Sequence, residues 1–129
     1  MKIFISHSSK DNAEAFAVLR LLRFSGYPKA FLDIDPEEGL KLGDNFLAEL
    51  SHKHSQSNFF VFLISKDWLS STWCLAEFRA AQLVDGNHVG ILLGDTQLSA
   101  LPADVAASQL VRYDEETCFS ALLKSVRKK

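Results

Sequence analysis

The sequence predicts an α/β fold: a five-stranded parallel sheet in the order 2-1-3-4-5, with helices on both faces. Three observations predict it. Short apolar runs alternate with helical stretches five times along the chain. The run Phe59-Phe60-Val61-Phe62-Leu63-Ile64 is apolar at every position, as a central parallel strand covered on both faces must be. The chain has 129 residues, of which 47% are hydrophobic, enough for one domain with a real core. Together these describe a three-layer α/β/α sandwich of the flavodoxin-like kind, in which ligands bind at the carboxyl ends of the strands.

Each element has its own warrant. Lys2-Ile3-Phe4-Ile5 is a short apolar run and breaks into the polar loop Ser6-His7-Ser8-Ser9-Lys10-Asp11. Asp11 with Glu14 three residues on makes a capping-box-like start for a helix over Ala13 to Phe24, and Gly26 can stop it. Ala30 to Ile34 is the second strand. Asp35 to Gly43 follows as a long loop with one Pro, two Gly and two apolar residues, Leu40 and Leu42. Asp44 caps a helix reaching about His54, with Phe46, Leu47 and Leu50 inward. After the third strand, Phe59 to Ile64, comes Ser65 to Leu69, read as a polar loop with a short apolar turn. Ser71 or Thr72 then caps a helix that runs to Leu83 without Gly or Pro. Val89 to Leu93 is the fourth strand, Ala103 to Ala107 a short helical turn, and Leu110 to Tyr113 an edge strand. Glu115 to Val126 is the last helix, with Phe119, Leu122, Leu123 and Val126 as its apolar stripe.

Composition excludes several classes. A net charge of −2 argues against nucleic acid as the main partner. The longest apolar run is far too short to cross a membrane, and the chain enters a strand pattern at once, leaving no room for a signal peptide. Cys74 and Cys118 form neither a CxxC motif nor a disulfide framework, which points to a reducing, cytoplasmic setting. His52 and His54 fall on different helical faces, so no metal site is expected. One domain covering residues 1–129 is expected. The basic ending Arg127-Lys128-Lys129 suits a helix terminus and also looks like a cut point before another domain.

Glu77 is the residue to explain. Its neighbours one turn away are Trp73, Cys74, Ala80 and Ala81, all apolar or small and none basic. A surface glutamate keeps polar company or pairs along its helix. A carboxylate with an apolar collar, on a face turned inward, is unpaired, partly desolvated and costly, and such groups are often functional.

The residues also resemble a known family. Phe4-Ile5-Ser6-His7-Ser8-Ser9-Lys10-Asp11 after a first strand looks like the opening box of TIR (Toll/interleukin-1 receptor) domains. Phe31-Leu32-Asp33 with its Pro/Gly loop looks like their second strand and BB loop. Trp73-Cys74-Leu75-Ala76-Glu77 resembles the WxxxE segment of TIR domains that cleave NAD. The resemblance covers essentially the whole chain, with wording closer to bacterial members than to animal receptors. It implies an NAD+ glycohydrolase that releases nicotinamide and either ADP-ribose or a cyclic isomer. Glu77 would be the catalytic glutamate and Trp73 the aromatic beside it. Ser6, His7 and Ser8 would line the ribose and phosphate side, and Asp33 and Phe46 would approach the nicotinamide end. Where some active relatives carry Arg, this chain has Ser8 and Ser9, and Lys10 is the substitute phosphate contact. NAD+ would be the substrate, with no retained cofactor and no metal. Partners implied are a second copy of the chain, contacted through the loop Asp35 to Gly43, and a fused or separate sensor domain in a bacterial antiphage signalling system.

One carboxylate suits this chemistry. Ordinary glycosidases need two, because the leaving oxygen must be protonated. Nicotinamide departs neutral from a cationic pyridinium, so no general acid is required. Positive charge builds on the ribose, and one carboxylate in a dry pocket stabilises it by ~3–4 kcal/mol. Trp73 would supply a flat wall for stacking. The competing function is a non-catalytic TIR–TIR interaction module, which would gain if Glu77 were exposed and salt-bridged. A phosphoacceptor receiver on the same fold would need acids after the first strand and at the end of the third. Ser6, His7 and Ser65 stand there instead. No GxGxxG follows the first strand, so a dinucleotide would not be held as a hydride carrier.

Overall fold

The computed structural model describes residues 2–32, 59–83, 87–114 and 117–127. Strands β1 (Ile3–Ser6), β2 (Ala30–Leu32), β3 (Phe59–Ile64), β4 (Asn87–Leu92) and β5 (Leu110–Arg112) form one sheet in the order β2-β1-β3-β4-β5. All neighbouring pairs are parallel. Between them run α1 (Asn12–Phe24), α2 (Lys66–Ser70), α3 (Thr72–Leu83), the single turn α4 (Ala103–Ala106) and α5 (Thr117–Arg127). The expected fold and strand order are both present. The helix expected over Asp44 to His54, with Leu47 and Leu50, and the loop Asp35 to Gly43 lie outside the described residues.

Alternation along the strands sorts the core into two layers. Ile3, Ile5, Val61, Leu63, Val89 and Ile91 pack with Val18, Leu22, Leu122 and Val126, beneath α1 and α5. Phe4, Phe60, Phe62 and Ile64 turn the other way, onto Trp68, Cys74, Phe78 and Val105 of α2, α3 and α4. Every residue of β3 is buried, which accounts for its unbroken apolar run. The first face is mainly aliphatic and the other strongly aromatic. The aromatic face is the one that holds Glu77.

Four local readings need correction. Ser65 to Leu69 is not a loop: Lys66–Ser70 is helical, because the Ser65 hydroxyl accepts the Trp68 amide N–H at 3.1 Å and caps the turn. Asp11 does stand at the N-cap of α1, but its side chain makes no capping bond. It accepts instead from the Ser65 hydroxyl at 2.5 Å, 54 residues away, so the capping box does not form. Ser6 closes β1 rather than opening the loop, and β4 begins at Asn87 because Asn87 and His88 pair with Phe59 and Phe60.

The stop after α1 is as expected. Gly26 takes φ +98°, Tyr27 N–H reaches Leu22 O at 3.0 Å, and Gly26 N–H reaches Arg23 O at 3.4 Å. This pair of bonds closes the helix over a left-handed residue, which glycine adopts without strain.

Candidate active site

Ser6 shares the face of β1 with Phe4, so its side chain enters the aromatic layer at the carboxyl end of the strand. On α3 the buried residues Trp73 and Glu77 make one stripe, and Cys74, Phe78 and Ala81 the adjacent one. Ser71 caps this helix: its hydroxyl accepts Cys74 N–H at 3.1 Å, as its place before the apolar run suggested. The two stripes turn Glu77 inward, and it is 0% exposed. The carboxylate is not bare as anticipated, since the Ser6 hydroxyl donates to Oε1 at 2.9 Å. Arg79 points away from Glu77 and pairs with Asp104 at 3.2 Å, tying α3 to α4.

Trp68 is the site residue that sequence reasoning missed. Its indole N–H donates to the Ser6 oxygen at 3.1 Å, and the side chain is 0% exposed. Two signals could have found it. Ser65 three residues before Trp68 is a helix-cap pattern, with Asp67 in the first turn. A buried tryptophan also needs an acceptor for its N–H, and Ser6 is the polar residue that β1 contributes to this face.

The other expected residues divide. Trp73 is buried one turn before Glu77. His7 is buried rather than solvent-facing, and its Nε2 meets Asn12 Oδ1 at 3.0 Å. Asn12 Oδ1 can only accept, so Nε2 is the donor in this contact. Ser8 caps the 3-10 turn Ser9–Asp11 by accepting Lys10 N–H at 3.3 Å. Ser6 and Glu77 thus meet directly, while His7 and Ser8 shape the turn into α1. Asp33 and Phe46 lie outside the described residues. Lys10 is exposed, with its ammonium 3.6 Å from Asp67.

A separate cleft of about 230 Å³ opens at the carboxyl ends of β3 and β4. Asp11, Glu14, Asp67 and Asp95 line it, with Lys66. Burial raises the Asp11 pKa above the ordinary carboxylate range, and Glu14 and Asp67 add to the rise. The Ser65 hydrogen bond and His7 act in the opposite sense. An acid-rich rim repels a dinucleotide's phosphates, so this cleft is a poor dinucleotide pocket. Among the described residues, no cluster of three or more His, Cys, Asp or Glu is arranged to hold a metal ion. No helix there is long and apolar enough to cross a membrane.

A doubly covered parallel sheet of order 2-1-3-4-5, with a buried glutamate beside its first strand, defines the class. A family model described as "TIR domain" matches residues 3–123, and the chain belongs to that family. Two solved structures show the same fold. The TIR domain of the Toll-related receptor TRR-2 from Hydra magnipapillata is 15% identical, with 97% of each chain covered and a TM-score of 0.74. The TIR domains of the activated Roq1 resistosome, which directly recognises the pathogen effector XopQ, are 22% identical. There the coverage is 97% of this chain and 98% of that one, with a TM-score of 0.68. No curated protein matches the chain.

Proposed function

We propose that this chain is an NAD+ glycohydrolase, cleaving the bond between nicotinamide and ribose with Glu77 as its central carboxylate. The observation that carries this is Glu77 itself, an acid at 0% exposure in the aromatic layer, held by a hydroxyl at 2.9 Å. Burying a carboxylate is expensive, and a sheet-covering helix gains nothing from one unless the charge is used. Low dielectric makes that charge effective against the cationic ribose of the transition state, and the neutral leaving group removes the need for a second acid. Water capture gives ADP-ribose, and internal capture gives a cyclic isomer.

Complete burial adds a condition. A dinucleotide reaches Glu77 only after something packed against it moves. Self-association, with the loop Asp35 to Gly43 as contact, is the event that opens the site. The setting is bacterial antiphage signalling, with a fused or separate sensor supplying the trigger. Nicotinamide release per protomer, followed by chromatography from dilute to concentrated protein, tests this. A per-protomer rate that climbs with concentration supports it, and a flat, measurable rate removes the self-association requirement.

A second reading draws on the same burial. Ser6, Trp68 and Glu77 join β1, α2 and α3. In a non-catalytic interaction module this would be a structural polar node. Folded, concentrated protein that releases no nicotinamide would favour it.

A further inference from the structure

We propose that Trp68 is a positioning residue for Glu77, acting through Ser6: its indole N–H fixes the Ser6 hydroxyl so that the hydroxyl proton is aimed at the carboxylate. The inference rests on the reading of Glu77 given above and assigns a role to a residue outside the WxxxE segment. Hydrogen-bond direction carries it. An indole N–H only donates, an ionised carboxylate only accepts, and a serine hydroxyl has one proton with two lone pairs. Trp68 Nε1 lies 3.1 Å from Ser6 Oγ, which lies 2.9 Å from Glu77 Oε1. The chain therefore runs one way, from indole to hydroxyl to carboxylate.

Trp68 is itself well held. Phe62 and Phe78 pack against its ring edge-to-face, at centroid distances of 6.1 and 6.2 Å. Its backbone N–H is taken by Ser65 Oγ at 3.1 Å. The five residues of α2 thus present one rigid donor. Ser6, Trp68 and Glu77 are each 0% exposed, so bulk water does not compete for these bonds. Without the indole the hydroxyl turns among its staggered positions and the carboxylate loses a fixed donor. A charge-stabilising group out of place loses rate rather than binding.

The test uses the full chain, uniformly 15N-labelled, in two arms. The first follows the Trp68 indole N–H resonance, assigned against Trp73→Phe, in wild type, Ser6→Ala and Glu77→Gln. Trp68 and Glu77 are bridged by the Ser6 hydroxyl, so a shift in Glu77→Gln that disappears when Ser6→Ala is also present is expected. An equal shift with and without the hydroxyl, or none, overturns the relay. The second arm measures turnover of Trp68→Phe and Ser6→Ala. Each should lower kcat about tenfold with KM changed by less than about twofold, and the double variant should be no worse than the weaker single. Ser6→Thr, which keeps a hydroxyl, should restore part of the loss. Losses that multiply in the double variant overturn the relay. Should Trp68→Phe not fold, the first arm stands on variants that keep Trp68. A relayed indole shift in protein that releases no nicotinamide keeps the hydrogen-bond relay and sinks the glycohydrolase reading instead.

Discussion

The Ser6 hydroxyl meets Glu77 Oε1 at 2.9 Å, across 71 residues of chain and inside the aromatic layer. This bond joins the end of the first strand to the helix covering the third. It gives the buried acid a donor that its own helix lacks.

Removing the donor should destabilise the fold. Ser6→Ala leaves a buried carboxylate and the Trp68 N–H each short of one bond, and it should lower unfolding free energy by about 1–3 kcal/mol. Urea unfolding checks this. An unchanged midpoint would mean that other groups already satisfy both ends.

Asp11 sets a pH dependence opposite to that of most carboxylates. Its folded pKa is raised, chiefly by burial, so in the window above its unfolded value the folded state binds the extra proton. The stability this site contributes is therefore fully present below the unfolded pKa and lost as pH rises through the folded one. Asp11→Asn keeps an acceptor for the Ser65 hydroxyl and removes the charge. It should be more stable than wild type at neutral pH by a fraction of a kcal/mol, since water screens a half-exposed site. That gain should shrink as pH falls into the carboxylate range. Thermal unfolding at neutral and acid pH decides it; a gain that grows on acidification contradicts the account.

Gly90 sits where β4 meets β3 and β5. A Cβ there would lie 2.6 Å from Leu110 Cδ2 and 2.9 Å from Ile64 Cδ1. Both contacts are side-chain ends that must shift, Leu110 half-buried near the sheet edge and Ile64 fully buried, where room to turn is less. Gly90→Ala should therefore cost about 1–3 kcal/mol through overpacking. Equilibrium denaturation reads the loss, and a stabilised variant would refute it.

What the sequence reveals and what it hides follow from the range of each interaction. Strand and helix placement is local and periodic, so β3 stands out as an unbroken apolar run, and a cap at Ser71 or Thr72 is recognisable from position, the Cys74 N–H bond then selecting Ser71. Glu77 is legible because its apolar neighbours lie one helical turn away. Trp68→Ser6 and Ser65→Asp11 span 62 and 54 residues and leave no periodic trace. Ser65 carries a local cap signal and does cap α2 at the Trp68 N–H, whereas its bond to Asp11 is tertiary and leaves that carboxylate making no cap bond to its own helix.

Whether Glu77 acts on NAD+ is the central question. Purified wild type and Glu77→Gln, at concentrations that favour self-association, should be incubated with NAD+ and nicotinamide release followed by chromatography. The account predicts release by wild type and a loss of at least about a hundredfold in Glu77→Gln, the scale of deleting one preorganised charge stabiliser. Release that continues unchanged in folded Glu77→Gln would contradict it.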